Sequence, residues 1–295
     1  MALLVYPGGR CRNSGTLENL VLPNSISLST YTIFRRRLKK IARWREFEKF
    51  LKRTRLPRKA DIVVVSHPKC GRTWLNAMIS NVYHQRYGIS ARELIAFDNF
   101  HRVDSRVPRI LFTHDDRQDG THRSFLTPRV LAARKTILLV RDPRDAAISA
   151  YFHLHGRKPE RRRGPEVAMP IANYVLEHKL PLILDFLGRW RDLIEGLEHS
   201  MIVRYEDLRT CPEHELARVI AFIEGQAEPD EIAKAVQFAS FDNLKILEAS
   251  KFFKSDKLHP GDRQTPQSFM VRRGAVGASQ EYFNKAQYER IETKV

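Results

Sequence analysis

Cysteine is scarce in this chain. The 295 residues hold three, Cys11, Cys70 and Cys211, an odd number at no metal-ligand spacing. That count argues against a disulfide framework and a cysteine-based zinc site, and it fits a reduced, cytoplasmic compartment. No run of about 18 uncharged apolar residues occurs, so no membrane-spanning helix is expected. The opening Met1-Ala2-Leu3-Leu4-Val5-Tyr6 is too short for a secretory signal and lacks its basic flank. Acidic residues are outnumbered: 34 Asp and Glu face 51 Lys and Arg, for a net charge of +17. An excess of that size points to a negatively charged substrate or partner.

What is present is a substantial apolar fraction, 42% of residues, enough for one large α/β domain, or two small ones, with a buried core. The positive charge is uneven. Residues 34–59 hold thirteen Lys or Arg against Glu46 and Glu48, so this segment alone nets +11. Within it Phe34, Leu38, Ile41, Trp44, Phe47 and Leu51 recur at three- and four-residue steps, a helical stripe with a basic opposite face. Two readings stand: a helix packed on the domain with its cations in water, or a surface that lies on an anionic membrane or glycan. The chain therefore divides into a loose extension at 1–33, a basic amphipathic helix at 34–59 and a domain at 60–295.

Short aliphatic strand signals stand at 61–66, 109–113, 136–141 and 201–205. Helical patterns fill the gaps at 73–87, 144–154, 170–195, 212–224 and 230–239. Strands alternating with helices imply a single α/β domain whose central parallel sheet is flanked by helices. Stretches 156–165 and 254–268 break the pattern and are expected to be loops.

Two strand ends carry the chemistry. Ile62-Val63-Val64-Val65-Ser66 runs into His67-Pro68-Lys69-Cys70-Gly71-Arg72-Thr73-Trp74. Ile137-Leu138-Leu139-Val140 runs into Arg141-Asp142-Pro143-Arg144-Asp145. A buried strand feeding a helix N-terminus is an anion site, because the first helical amides have no internal partner. Gly71 lets backbone approach a phosphate. A nucleoside-triphosphate loop needs two glycines with Lys-Ser/Thr directly after the second; here Lys69 precedes a single glycine. Two cationic cradles predict a ligand with two separate anionic groups.

At these residues the chain resembles the sulfotransferases that use 3′-phosphoadenosine-5′-phosphosulfate (PAPS). Pro68 to Trp74 is similar to that family's 5′-phosphosulfate loop, a P-loop-like element. Arg141 to His153 is similar to its 3′-phosphate segment, and Phe269 to Gly277 to its C-terminal 3′-phosphate loop. The resemblance runs from about residue 60 to the end. It implies a 5′ site made of Lys69, Cys70, Gly71, Arg72, Thr73 and Trp74. It implies a 3′ site of Arg141, Ser149, Arg272, Arg273 and Gly274, with Trp74 and Phe241 against adenine and Tyr205 at the nucleotide edge. Lys69 then sits at the oxygen bridging phosphate and sulfate, where charge grows as the sulfuryl group leaves.

His114 ends the third aliphatic run, Arg109 to Thr113, and the resemblance makes it the base that takes the acceptor's proton. The family often has Lys two residues earlier, where this chain has Phe112. The family's Leu-Pro after the histidine is Asp115-Asp116 here, and a carboxylate there would orient His114 or serve as an alternative base. His153 and His155 are candidates for the acceptor pocket; His67 reads as packing. Cys70, at a helix start among cations, is either a reactive thiolate or a small space-filler. The family's dimer motif is not matched at Gln280, Asn284 and Lys285.

The expected function is metal-free, in-line sulfuryl transfer from PAPS to a hydroxyl or amine of a small-molecule, lipid or glycan acceptor. No specific nucleic acid partner is expected, and location is cytoplasmic, with 34–59 a candidate for peripheral membrane contact. The rivals are a nucleotide-dependent kinase and a non-catalytic polyanion- or membrane-binding protein.

Overall fold

The computed structural model describes residues 57–94, 100–115, 124, 126–157, 164–255, 258–261, 268–271 and 274–295. The extension at 1–33 and the basic segment at 34–59 lie outside them, apart from residues 57–59, which are helical. Arg272, Arg273 and Asp116 also lie outside.

The sheet follows from burial on both faces. Strand β1, Ile62–Ser66, is buried at every position, and three of its five residues are valine. Such β-branched runs suit a parallel strand covered on both sides. It pairs in parallel with β2, Ile110–Thr113, and with β3, Lys135–Val140; β4, Ser200–Arg204, pairs with β3. Among the described residues the strand order is β2-β1-β3-β4. From β1 the chain steps outward to β2, then returns past β1 to β3. The carboxyl ends of β1 and β3 therefore flank a topological switch point, where open parallel sheets form their binding crevice.

Helices cover the two faces. Helix α1, Arg72–Tyr87, starts at a left-handed Gly71 and stops at a left-handed Gly88, whose amide donates to the His84 carbonyl. Its Leu75, Met78, Ile79 and Val82 enter the larger core cluster with Val64, Ile137 and Leu139. After the short α2, Pro128–Leu131, and β3 comes α3, Pro143–Phe152, which packs on the same cluster through Ala146, Ala147 and Ile148. The opposite face is covered by α4, Leu180–Glu195. Its Phe186, Trp190 and Ile194 join Val63, Val65 and Leu138. The remaining helices are α5 at Tyr205–Thr210, α6 at Pro212–Glu224, α7 at Pro229–Phe238, α8 at Phe241–Ala249 and α9 at Lys285–Glu292.

Two of the expected helices are not continuous. The pattern over 170–195 divides into a turn at Ile171–Asn173, a π turn at Tyr174–Lys179 and α4. Pro181 explains the break: it has no amide to donate, so it sits in the first turn of α4. The 144–154 pattern likewise ends at Phe152, and a π turn follows at His153–Arg157. Asn284, a departure from the dimer motif, caps α9 in a reciprocal pair with Gln287.

Candidate active site

The first loop curls through two left-handed residues, Lys69 (φ 76°) and Gly71 (φ 93°). Glycine is required at 71: a Cβ there would stand 2.6 Å from the Tyr205 ring, besides the strained φ. The first helical amides to find internal partners are those of Trp74 and Leu75, both on the Gly71 carbonyl. The amides that precede them open α1 toward a cavity of about 270 Å³ at the switch point.

Lys69, Gly71, Arg72, Thr73 and Trp74 all line that cavity, as do Arg141, Ser149, Tyr205, Phe241, Gly274 and His114. Eleven of the residues singled out from sequence therefore meet in one place. Cys70 does not join them as a side chain. It is 1% exposed, and burial pushes its thiol up to about 12, so of the two readings the space-filler holds. The second loop also needs a correction. Its helix N-terminus is not open, because the Asp142 carboxylate caps α3 by accepting the Arg144 amide at 2.8 Å. The same carboxylate holds the Arg144 guanidinium at 2.6 Å, which makes Arg144 part of a structural ion pair. Glu206 accepts the Asp142 amide at 2.8 Å.

Arg141 is the cation that loop offers. One terminal nitrogen donates to the Lys69 carbonyl at 3.1 Å and the other to the Ala275 carbonyl at 3.2 Å. The guanidinium lies 4.2 Å from the centroid of the Tyr205 ring. Its Nε is buried without a hydrogen-bond partner. An orphaned cationic donor at a cavity wall fits an incoming anionic oxygen. The aromatic members are fixed as well: Trp74 donates its indole N–H to the Ala239 carbonyl at 2.8 Å, and the Phe241 ring would meet a Cβ on Gly274 at 3.0 Å.

His114 is held by the end of β1. Its Nδ1 stands 3.0 Å from the Ser66 carbonyl, which can only accept, so Nδ1 carries the proton and Nε2 is the basic nitrogen. Burial, helped by the Arg72 charge, holds its pKa well below 6.5, so the ring is neutral at physiological pH. The Asp115 carboxylate turns to the α4 face, where it accepts from Trp190 Nε1 at 3.2 Å. His153 lines the cavity; His155 does not, its two ring nitrogens facing the Tyr151 and Val167 carbonyls. His67 packs its ring on Phe186, and burial lowers its pKa to about 4, as its packing role requires.

The sulfotransferase domain family profile matches residues 59–294. The chain belongs to the sulfotransferase family. Cytosolic sulfotransferase 15 of Arabidopsis thaliana is 26% identical over 264 residues, covering 80% of this chain and 70% of the relative. The 3-alpha-hydroxysteroid sulfotransferase of Cavia porcellus is 25% identical over 251 residues, covering 78% and 80%. The crystal structure of mouse sulfotransferase SULT7A1 complexed with PAP shares the fold, with a TM-score of 0.56 at 24% identity, covering 80% of this chain and 82% of that one.

Three polar residues of this sulfotransferase site escaped the sequence reading. Asp145, 4% exposed, accepts the amides of Gly277 (2.8 Å) and Ser279 (3.0 Å) and so ties the C-terminal loop to α3. Glu248, fully buried on α8, accepts the amides of Met270 (2.6 Å) and Val271 (2.9 Å). The loop is thereby pinned from two sides, and it brings Met270 Sδ to 3.0 Å from the Lys69 ammonium. Arg209 lines the cavity with its guanidinium 5.6 Å from the Trp74 ring centroid. Nothing in local sequence marks Asp145 or Glu248, because their partners are backbone amides more than twenty residues away.

Proposed function

We propose that this sulfotransferase moves the sulfuryl group of PAPS, in line and without a metal, to the hydroxyl (or amine) of a small-molecule acceptor. One observation carries the reading: Lys69, His114 and Arg141 line a single cavity at the switch point. Lys69 and the amides of 70–74 hold the 5′-phosphosulfate; Cys70 takes part through its backbone, Gly71 through its lack of a side chain, and Arg72 and Thr73 add a cation and a hydroxyl. Arg141, Ser149, Gly274, Arg272 and Arg273 hold the 3′-phosphate. Trp74 and Phe241 flank adenine, and Tyr205 closes the nucleotide edge against Gly71.

The transfer then balances as follows. The acceptor oxygen attacks sulfur while its proton passes to His114 Nε2. The bond between sulfur and the bridging oxygen breaks, and the electron pair stays on the 5′-phosphate. Lys69 meets that growing charge. The relative whose name specifies a hydroxysteroid supports a small hydroxylated acceptor.

The 3′ assignment has a specific test. Arg141→Ala should weaken binding of adenosine 3′,5′-bisphosphate by about 10-fold or more, since charge-assisted hydrogen bonds contribute on the order of 1.5–3 kcal/mol. Binding of adenosine 5′-phosphosulfate, which lacks the 3′-phosphate, should change little. Equal losses on both ligands, read by calorimetry, would mean that Arg141 holds the fold instead.

The basic segment 34–59 is assigned a recruiting role on its charge alone: it holds the enzyme at an anionic membrane surface. Replacing Arg35, Arg36, Arg37, Lys39 and Lys40 by Gln should abolish salt-sensitive binding to phosphatidylserine vesicles. Bisphosphate affinity should be unchanged. Vesicle binding that survives the five substitutions refutes the role.

A further inference from the structure

We propose that Asp115 is a positioning residue for His114, acting through a buried anchor on the far face of the sheet. The inference rests on the assignment of His114 as the base. The β1–β2 ladder carries its last registered pair at Val65 and Thr113. His114 is the next residue, so it stands where the ladder no longer fixes the main chain. Its ring is aimed by the contact of Nδ1 with the Ser66 carbonyl at 3.0 Å, and that contact holds only while the His114 main chain stays put.

Asp115 supplies the missing restraint. It is left-handed (φ 48°), a conformation that Asp and Asn tolerate better than most residues. Its amide donates to Thr113 Oγ1 at 3.2 Å, closing a tight turn around His114. Its side chain, 6% exposed, crosses to the α4 side. There one carboxylate oxygen accepts the Trp190 indole N–H at 3.2 Å and lies 3.6 Å from Arg189 Nη1. The other accepts the Ser124 hydroxyl. Trp190 is 1% exposed and packed with Phe186 beneath the sheet, so the donor that grips Asp115 is itself rigid. A buried anchor is thus set directly beside the proposed base. Misplacing a reacting group by about 1 Å costs up to on the order of 10² in rate, so such an anchor matters even though it touches no substrate.

The test separates the anchor from the turn and from the fold. Asp115→Gly keeps the left-handed backbone and removes the carboxylate. Asp115→Asn keeps an acceptor for Trp190 and tolerates the same φ. Trp190→Phe removes the donor and leaves an aromatic ring. ¹⁵N-histidine NMR, with His114 assigned by its loss in His114→Gln, reads the ring directly. The parent and Asp115→Asn should show one tautomer protonated at Nδ1. Asp115→Gly and Trp190→Phe should show a mixture of tautomers. Transfer from PAPS to 2-naphthol should fall about tenfold in kcat for those two and less than about threefold for Asp115→Asn. Affinity for adenosine 3′,5′-bisphosphate should stay within about twofold in all three.

A parent-like His114 tautomer in both Asp115→Gly and Trp190→Phe would overturn the proposal. So would a loss of bisphosphate affinity in step with kcat, which would mark Asp115 as a structural residue only. A parent that binds bisphosphate but transfers nothing from PAPS would refute the proposed reaction, while the NMR comparison would still decide whether Asp115 positions the ring.

Discussion

Lys69→Ala is expected to lower single-turnover sulfuryl transfer by on the order of 10²–10³ or more, with at most about a fivefold loss of bisphosphate affinity. The asymmetry follows from when the cation acts. The bridging oxygen of PAPS carries little charge in the ground state and gains it as the S–O bond breaks. A cation fixed at that oxygen therefore stabilises the transition state more than the bound substrate. Lys69 is well placed for this. Its left-handed backbone turns it into the cavity at the head of α1, and Arg141 holds its carbonyl at 3.1 Å. Its ammonium rests at 3.0 Å on the Met270 thioether, a weak acceptor that an anionic oxygen readily replaces. Binding should survive the substitution because the amides of the loop, Arg141 and the aromatic walls remain. Rapid-quench measurement of one turnover, alongside calorimetry with bisphosphate, reads the two quantities separately. Turnover within tenfold of the parent would remove Lys69 from the reaction.

His114→Ala is the second large effect, with an expected loss of on the order of 10²–10⁴ in rate. The Ser66 carbonyl fixes the tautomer so that Nε2 is the proton acceptor. Burial and the nearby Arg72 charge lower the imidazole pKa below 6.5. The sign of the pH dependence follows. The base is active when neutral, so parent turnover should be flat from about pH 6.5 upward and fall only in more acidic solution. That acid limb should vanish in His114→Ala. A limb centred above pH 7 would mean that another group supplies the base. If Asp115→Asn were crippling and His114→Ala mild, the carboxylate would be the base.

Much of this architecture was legible because it depends on local chemistry. All four strands appear within a residue of the expected bounds, since a run such as Ile62-Val63-Val64-Val65 admits few other environments. Helix α6 matches its expected span, 212–224, because Pro212 and Gly225 mark its ends. Lys69, Gly71, Arg141 and His114 stand at strand ends with a recognisable pattern, whereas Ser149, Tyr205, Phe241 and Gly274 rest on the family resemblance. What was not legible depends on contacts distant in sequence. Cys70, at a helix start among cations, leaves a thiolate and a space-filler both open in sequence, and only its burial in the core decides for the filler. The N-terminus of α3 looked open to an anion, yet Asp142 fills it from within. Glu248 lies beyond the last helix that the sequence pattern marks, and its role rests on being fully buried on the backbone of the C-terminal loop. The short helices α5, α8 and α9 were missed because six to nine residues carry too little periodicity to register.

The central claim is that the cavity is built for an adenosine nucleotide charged at both the 5′ and 3′ positions. The most direct measurement is a calorimetric comparison on the parent protein of adenosine 3′,5′-bisphosphate against ADP with magnesium. The 5′ loop with Lys69 and the separate Arg141 cation predict that the bisphosphate binds on the order of 10²-fold more tightly, with no gain from magnesium. Equal affinities, or tighter binding of ADP with magnesium, would contradict the account.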